Sequence, residues 1–314
     1  MDIFLNELSF CGQAPDRHEV ERLMTDMQKV LKALQKISNN PIATSSTLWK
    51  REIAPHYSVK NYIYDKSIDQ AKRIYFQIIT TKGPYVENLF SQSFSEHKCH
   101  LQNESFLDVT NTSVAAASCF NGILAGLRDA PHFATETISV VCCVGTGERW
   151  EVEVINQYDP DHTGSFVKNF LRRELNSWES LWEKRTDLFP EIAFCKEIKD
   201  QLQSSSYSQS VLRNIIRHLD CMNKYMKKIR TGEIKTPNYA QMGIEASRES
   251  EITLKHFSHC RTFQCPDGKQ RVFSWHSKIK GKANLRIYFY PPDEETEHFL
   301  IGYIGRHLPT WTEK

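Results

Sequence analysis

The sequence predicts an α+β fold: an α+β N-terminal domain over residues 1–160, a helical middle over 161–245 and a small antiparallel sheet over 246–314. Three observations predict it. Apolar residues recur at three- and four-residue steps from Asp16 to Leu34 and again through 164–231. The last sixty-odd residues switch to period two. Between these lie short β-rich runs bounded by Gly, Asn and Pro. The 314 residues, 40% apolar and 11% aromatic, are enough for a sizeable core and suit two domains.

In chain order, Ile3, Leu5, Leu8 and Phe10 alternate and suit a first strand. Asp16 can cap a long helix on which Val20, Leu23, Met24, Met27, Val30, Leu31 and Leu34 share a face, and Asn39-Asn40-Pro41 stops it. A second helix is expected over 69–80, closed by Lys82-Gly83-Pro84. The stretch Ser113 to Leu127 reads as one helix, apolar on most sides and so buried. Glu136–Val144 and Arg149–Asn156 are β-rich, and Gly145-Thr146-Gly147 between them marks a hairpin. Two helical stripes follow, Phe166 to Trp182 and Val211 to Ile229. Thr231 to Ser250 lacks periodicity and reads as a polar loop. Strands near 261–265, 270–279, 284–290 and 298–304 complete the chain.

No apolar run approaches the roughly 20 residues that span a bilayer. The opening residues carry no basic segment, so a cytoplasmic protein with no membrane partner is expected. Nine cysteines, several in apolar settings such as Val140 to Val144, suggest reduced, buried thiols and no disulfide framework. From His256 to Tyr290 there are seven Lys/Arg and one acid, a local +6. At an overall +2, the rest of the chain carries −4. That asymmetry favours a polyanionic partner for the C-terminal region.

Alternation places Phe273, Trp275 and Ile279 on one face of the expected hairpin and His276, Lys278 and Lys280 on the other. The next strand divides Leu285, Ile287 and Phe289 from Arg286, Tyr288 and Tyr290. One face is thus oily. The other gathers a histidine, cations and phenols, as an RNA site requires: cations for phosphate, aromatic planes for unpaired bases and an imidazole for proton transfer. Arg306 and His307 follow the last strand, where a side chain can escape the sheet. An open, electropositive face is expected, with His276, His307, Arg286 and Tyr303 as candidate catalytic groups. Lys278, Lys280, Lys282, Arg271, Tyr288 and Arg306 are the candidate RNA contacts. Taken singly, each Lys fits a polar strand face better than an RNA contact, and His276 a surface or capping residue better than a catalyst; it is their combination with the local +6 that points to RNA.

Trp275-His-Ser-Lys-Ile279, Arg286-Ile-Tyr-Phe289 and Ile301-Gly-Tyr-Ile-Gly-Arg-His307 together resemble the C-terminal half of the RelE/HigB/YoeB-type toxins. These are small antiparallel-sheet endoribonucleases that cut RNA without metal, many of them on the ribosome. The resemblance covers residues 261–310. It implies that Arg286 stabilises the scissile phosphate, that His307 is the acid or base, and that Lys278, Lys280 and Tyr303 support them. No acidic general base stands on the preceding strand. Residues 247–310, with Ser247-Arg-Glu-Ser250 and Arg261 to Gly268, also resemble an uncharacterised bacterial family, which suggests an antiphage setting.

The reading is therefore an RNA-targeting, metal-independent endoribonuclease, toxin-like, needing no cofactor and held by a protein partner or inhibitor. Its alternative is a non-enzymatic nucleic-acid-binding or adaptor subunit of a bacterial defence complex. A metal-dependent DNA nuclease ranks below both, because no Asp/Glu/Lys constellation stands out. His256-x-x-His259-Cys260-x4-Cys265, with His97-x-Cys99-His100, has donor atoms at zinc-like spacing but no Cys-x-x-Cys pair. The acidic tract Asp293-Glu294-Glu295-x-Glu297 reads as a solvated turn.

Overall fold

A computed structural model describes residues 1–93, 97–102, 107–144, 149–203, 208–279 and 284–311. It mixes helices and sheets, and the chain divides into two units, Met1–Phe170 and Leu171–Lys314. Among the described residues no helix is long and apolar enough to cross a membrane.

The first unit is built on a six-stranded mixed sheet. In chain order its elements are β1 (Ile3–Leu5), α1 (Arg17–Leu34), β2 (Ala43–Thr44), the small pair β3 (Glu52–Ala54) and β4 (Tyr57–Ser58), α2 (Val59–Tyr64), α3 (Gln70–Lys82), α4 (Val86–Ser93), β5 (His97–Leu101), α5 (Ser113–Cys119), β6 (Ile123–Ala125), β7 (Thr137–Val144) and β8 (Arg149–Gln157). The sheet order is β2-β1-β6-β8-β7-β5, parallel from β2 to β8, with β7 antiparallel to both its neighbours. Asp16 caps α1 by accepting from the Glu19 amide at 2.8 Å, and Asp69 caps α3.

Three expectations are corrected here. The first strand ends at Leu5, with Glu7–Ser9 forming a 3-10 turn. All three β1 residues are buried, because a strand between parallel neighbours is covered on both faces and needs no alternation. The apolar run from Ser113 splits into α5 and β6 at Asn121, whose φ is +51°. A run apolar on every side carries no period to distinguish a buried helix from a buried strand. Cys99 and Cys142, paired across β5 and β7, form a disulfide, so the thiols are not all reduced. Cross-strand adjacency, invisible at a sequence separation of 43, brings them together. The hairpin of β7 and β8 is present, but its Gly145-Thr146-Gly147 turn lies outside the described residues.

The chain passes from one unit to the other within α6 (Pro160–Arg173). The second unit continues with α7 (Trp178–Leu188), β9 (Ile192–Phe194), α8 (Ile198–Gln203), α9 (Gln209–Arg230), β10 (Ala246–Arg248), α10 (Glu251–Phe257), β11 (Thr262–Gln264), β12 (Gln270–Val272), β13 (Trp275–Ile279), β14 (Leu285–Tyr290) and β15 (Phe299–Arg306). A five-stranded sheet runs β10-β13-β14-β15-β9, with β11 and β12 as a separate pair. The helical middle and the terminal sheet are thus one unit. β9 adds a parallel edge to β15, β10 arises from the stretch read as a loop, and α9 packs on β13, β15 and β9. Leu212, Ile215, Leu219, Met222 and Met226 of α9 are buried. The oily face of the sheet is α9's side, where His218 Nδ1 lies 3.0 Å from Ser277 Oγ.

Candidate functional site

The register of the terminal sheet decides which side chains share a face. His276 lies directly across from Tyr288, and Tyr288 across from Tyr303. Cross-strand partners point the same way, so the rings form a row with centroids 5.3 Å and 5.9 Å apart. The next rung on this face is Lys278, Arg286 and Gly305.

Past Arg306 the chain leaves β15 and turns over this face. The His307 amide donates to the Asn284 carbonyl at 3.1 Å. The Arg261 guanidinium donates to the carbonyls of Pro309 at 3.0 Å and Leu308 at 3.4 Å. The His307 ring comes to rest 5.8 Å from that of His276. His276, Tyr288, Tyr303 and His307 therefore gather in one place.

The face is not open, however. The 3-10 turn Ser258–Arg261 brings Arg261 in with no exposed surface. It donates to Glu249 Oε1 at 3.0 Å and to the Tyr288 hydroxyl at 3.4 Å. The Tyr288 hydroxyl donates to the same Glu249 oxygen at 3.1 Å. His276 Nδ1 approaches that oxygen to 3.3 Å without the alignment of a hydrogen bond, and Nε2 lies 3.4 Å from Ser247 Oγ. Burial pushes the Glu249 carboxyl up, but His276 and Arg261 outweigh it and hold it down at about 2. Burial, then the Glu249 charge, raises the Tyr288 phenol well above its ordinary range, so it stays a donor.

Several sequence expectations change accordingly. His276 is only 5% exposed, and Tyr288 is fully buried and cannot stack on a base. The face is not the open one that alternation predicts: the β10–α10 segment and the tail cover it. Arg271 belongs to the separate β11–β12 pair, 8% exposed and ion-paired with Asp267 and Glu295, because the run 270–279 breaks at Phe273. Arg306 is exposed but lies across from Leu285, on the opposite face from His276. Lys278 pairs with Glu245 at 2.8 Å and borders a cavity of about 410 Å³ that Arg217 and His218 also line. Lys280 and Lys282 lie outside the described residues.

What solvent reaches is the rim. Arg286, Tyr303 and His307 are half-buried there. Arg286 Nη1 donates to the Leu285 carbonyl, Nε is buried without a hydrogen bond, and no carboxylate pairs with the guanidinium among the described residues. Gly305 matters beside it: a Cβ there would run into the Tyr303 hydroxyl, so the missing side chain is the space that phenol occupies.

Glu249, Arg261 and Ser247 complete the site, and no local pattern in the sequence points to them as its members. Glu249 stands just past β10 and supplies an acidic group where the preceding strand carries none; its amide donates to the Ser274 carbonyl at 2.8 Å. The suspected zinc donors at 256–265 do not converge among the described residues. The ligand atoms of Glu249, His276 and His307 do, within 4.8 Å of one another. No family model matches the chain, and no curated protein or solved structure matches it.

Proposed function

We propose that the second unit is an RNA-targeting effector, a metal-independent endoribonuclease of toxin-like type acting in a bacterial defence or toxin–antitoxin setting. One observation carries the reading. At a solvent-reached rim, a half-buried arginine that pairs with no carboxylate among the described residues sits one rung from a tyrosine, and a histidine backed by a second imidazole reaches the same face. Arg286 meets the phosphate, and its fork stabilises charge building on the phosphoryl oxygens. His307 takes the proton from the ribose 2′-hydroxyl, which attacks the adjacent phosphorus; as the 2′,3′-cyclic phosphate forms, the bond to the 5′ oxygen breaks and that oxygen takes a proton from water to leave as a 5′-hydroxyl. Tyr303 hydrogen-bonds the same phosphate. His276, too buried to meet substrate, positions His307 and couples it to Glu249. DNA lacks the nucleophile and is inert.

The test is incubation of the full chain with labelled RNA and DNA in EDTA. Cutting of RNA alone, lost in folded Arg286→Ala and His307→Ala proteins, supports the reading. Binding that weakens with salt but leaves strands whole sinks it. That second outcome fits a non-enzymatic, nucleic-acid-binding adaptor. The Arg261 contacts to Leu308 and Pro309 favour it, since they also make the network a clasp for the chain's own tail.

A further inference from the structure

We propose that Glu249, His276 and His307 form a three-ligand site for a divalent transition metal ion, zinc foremost. Their ligand atoms lie within 4.8 Å of one another, drawn from the end of β10, from β13 and from the tail. Two further features separate this trio from an incidental cluster. His276 is 95% shielded, yet its Nδ1 makes no hydrogen bond, an expensive state for a buried polar atom that a bound ion relieves. Its distance to Glu249 Oε1, 3.3 Å, is long for a charge-assisted hydrogen bond. It matches the edge of a tetrahedron, about 3.4 Å for metal–ligand bonds of about 2.1 Å.

The surrounding groups fit an outer shell. Ser247 Oγ beside Nε2 leaves Nδ1 to face the ion, while Tyr288 and Arg261 fix the carboxylate. Two imidazoles favour zinc and its transition-metal neighbours over magnesium or calcium, and the Arg261 charge further penalises weakly bound hard cations. Three protein ligands leave a fourth position for water or an anion. His307 lies on the tail, so the ion also pins the tail to the sheet. Where the ribonuclease reading holds, and only there, zinc withdraws the His307 imidazole from proton transfer and locks the His276 ring that positions it, so it silences cleavage and a chelator restores it.

The experiment uses untagged full-length protein, stripped with EDTA and freed of chelator. It is titrated with zinc by calorimetry and with cobalt(II) by visible absorption. One zinc per chain and cobalt bands of a tetrahedral nitrogen–oxygen site, without a thiolate charge-transfer band, are expected. His307→Ala, which leaves the Glu249–Arg261 pair intact, should weaken zinc binding by on the order of 100-fold, and His276→Ala likewise if it folds. No binding by the unaltered chain, a thiolate band assigning the ion to cysteines, or unchanged affinity in His307→Ala overturns the proposal. Zinc binding without RNA cleavage under any condition retires the ribonuclease reading alone.

Discussion

The Tyr288 hydroxyl, on a side chain with no exposed surface, donates to the Glu249 oxygen that also receives the buried Arg261 guanidinium. The two donations differ in kind. Tyr288→Phe removes one hydrogen bond and should cost about 1–2 kcal/mol. Glu249→Gln removes the charge opposite a guanidinium that cannot reach water, and should cost about 3–5 kcal/mol. Urea unfolding of both variants gives the comparison. Equal losses would mean that Arg261 finds other compensation and that the pair does not hold this face together.

Much of this arrangement could be read from the chain, and the unread part has a common cause. Pleat parity placed His276 with Tyr288 and Arg286, because alternation is local and the register preserves it. Burial of that face was not local. Arg261 arrives from a 3-10 turn with its charge hidden, and the tail folds over after β15. A half-polar strand looks the same in sequence whether water or a guanidinium network covers it. The same limit applied to Ser113 to Leu127 and to Cys99 with Cys142, where neighbours distant in sequence decided the outcome.

His218, packed against Ser277, gives the second unit a pH dependence. Burial first, then the Arg217 charge, lowers the ring from 6.5 to about 4. Above pH 6.5 it is neutral in both states and its contribution to stability is whole. Between about 6.5 and about 4 the unfolded chain takes up a proton that the folded chain refuses, so stability falls as pH falls. The loss is about 2 kcal/mol, allowing for the solvent that still reaches the ring. Denaturant midpoints measured from pH 7.5 to 4.5 should drop, and His218→Asn should flatten the upper part of that curve. A variant with an unchanged slope would assign the effect to other groups.

Two glycines of β15 should respond oppositely to the same methyl group. At Gly302 a Cβ would lie 2.5 Å from Phe263 and 2.8 Å from Phe273, both rings packed against each other. Gly302→Ala should therefore cost about 1–3 kcal/mol or more by overpacking. At Gly305 the obstacle is the outer edge of a single ring, that of half-buried Tyr303 at the rim. Gly305→Ala should keep most of the stability while displacing the phenol from the rim, so RNA cleavage falls further than folding does. Thermal unfolding and cleavage rates measured side by side decide it. A Gly305→Ala protein with full activity would remove Tyr303 from the reaction.

Arg286 offers the sharpest separation of chemistry from attraction. A lysine there keeps the positive charge but loses the planar fork that engages two phosphoryl oxygens at once. If the residue merely attracts RNA, Arg286→Lys should bind and act almost as before. If it stabilises charge developing at phosphorus, the interaction is stronger in the transition state than with bound substrate, and the loss falls on kcat. A drop of about 100-fold or more in kcat is then expected, in the range seen when one such donor is removed. Affinity for a 2′-deoxy analogue that cannot react should change little. Single-turnover rates beside binding of that analogue measure both quantities. Equal weakening of the two would leave Arg286 a docking contact and return the site to the adaptor reading.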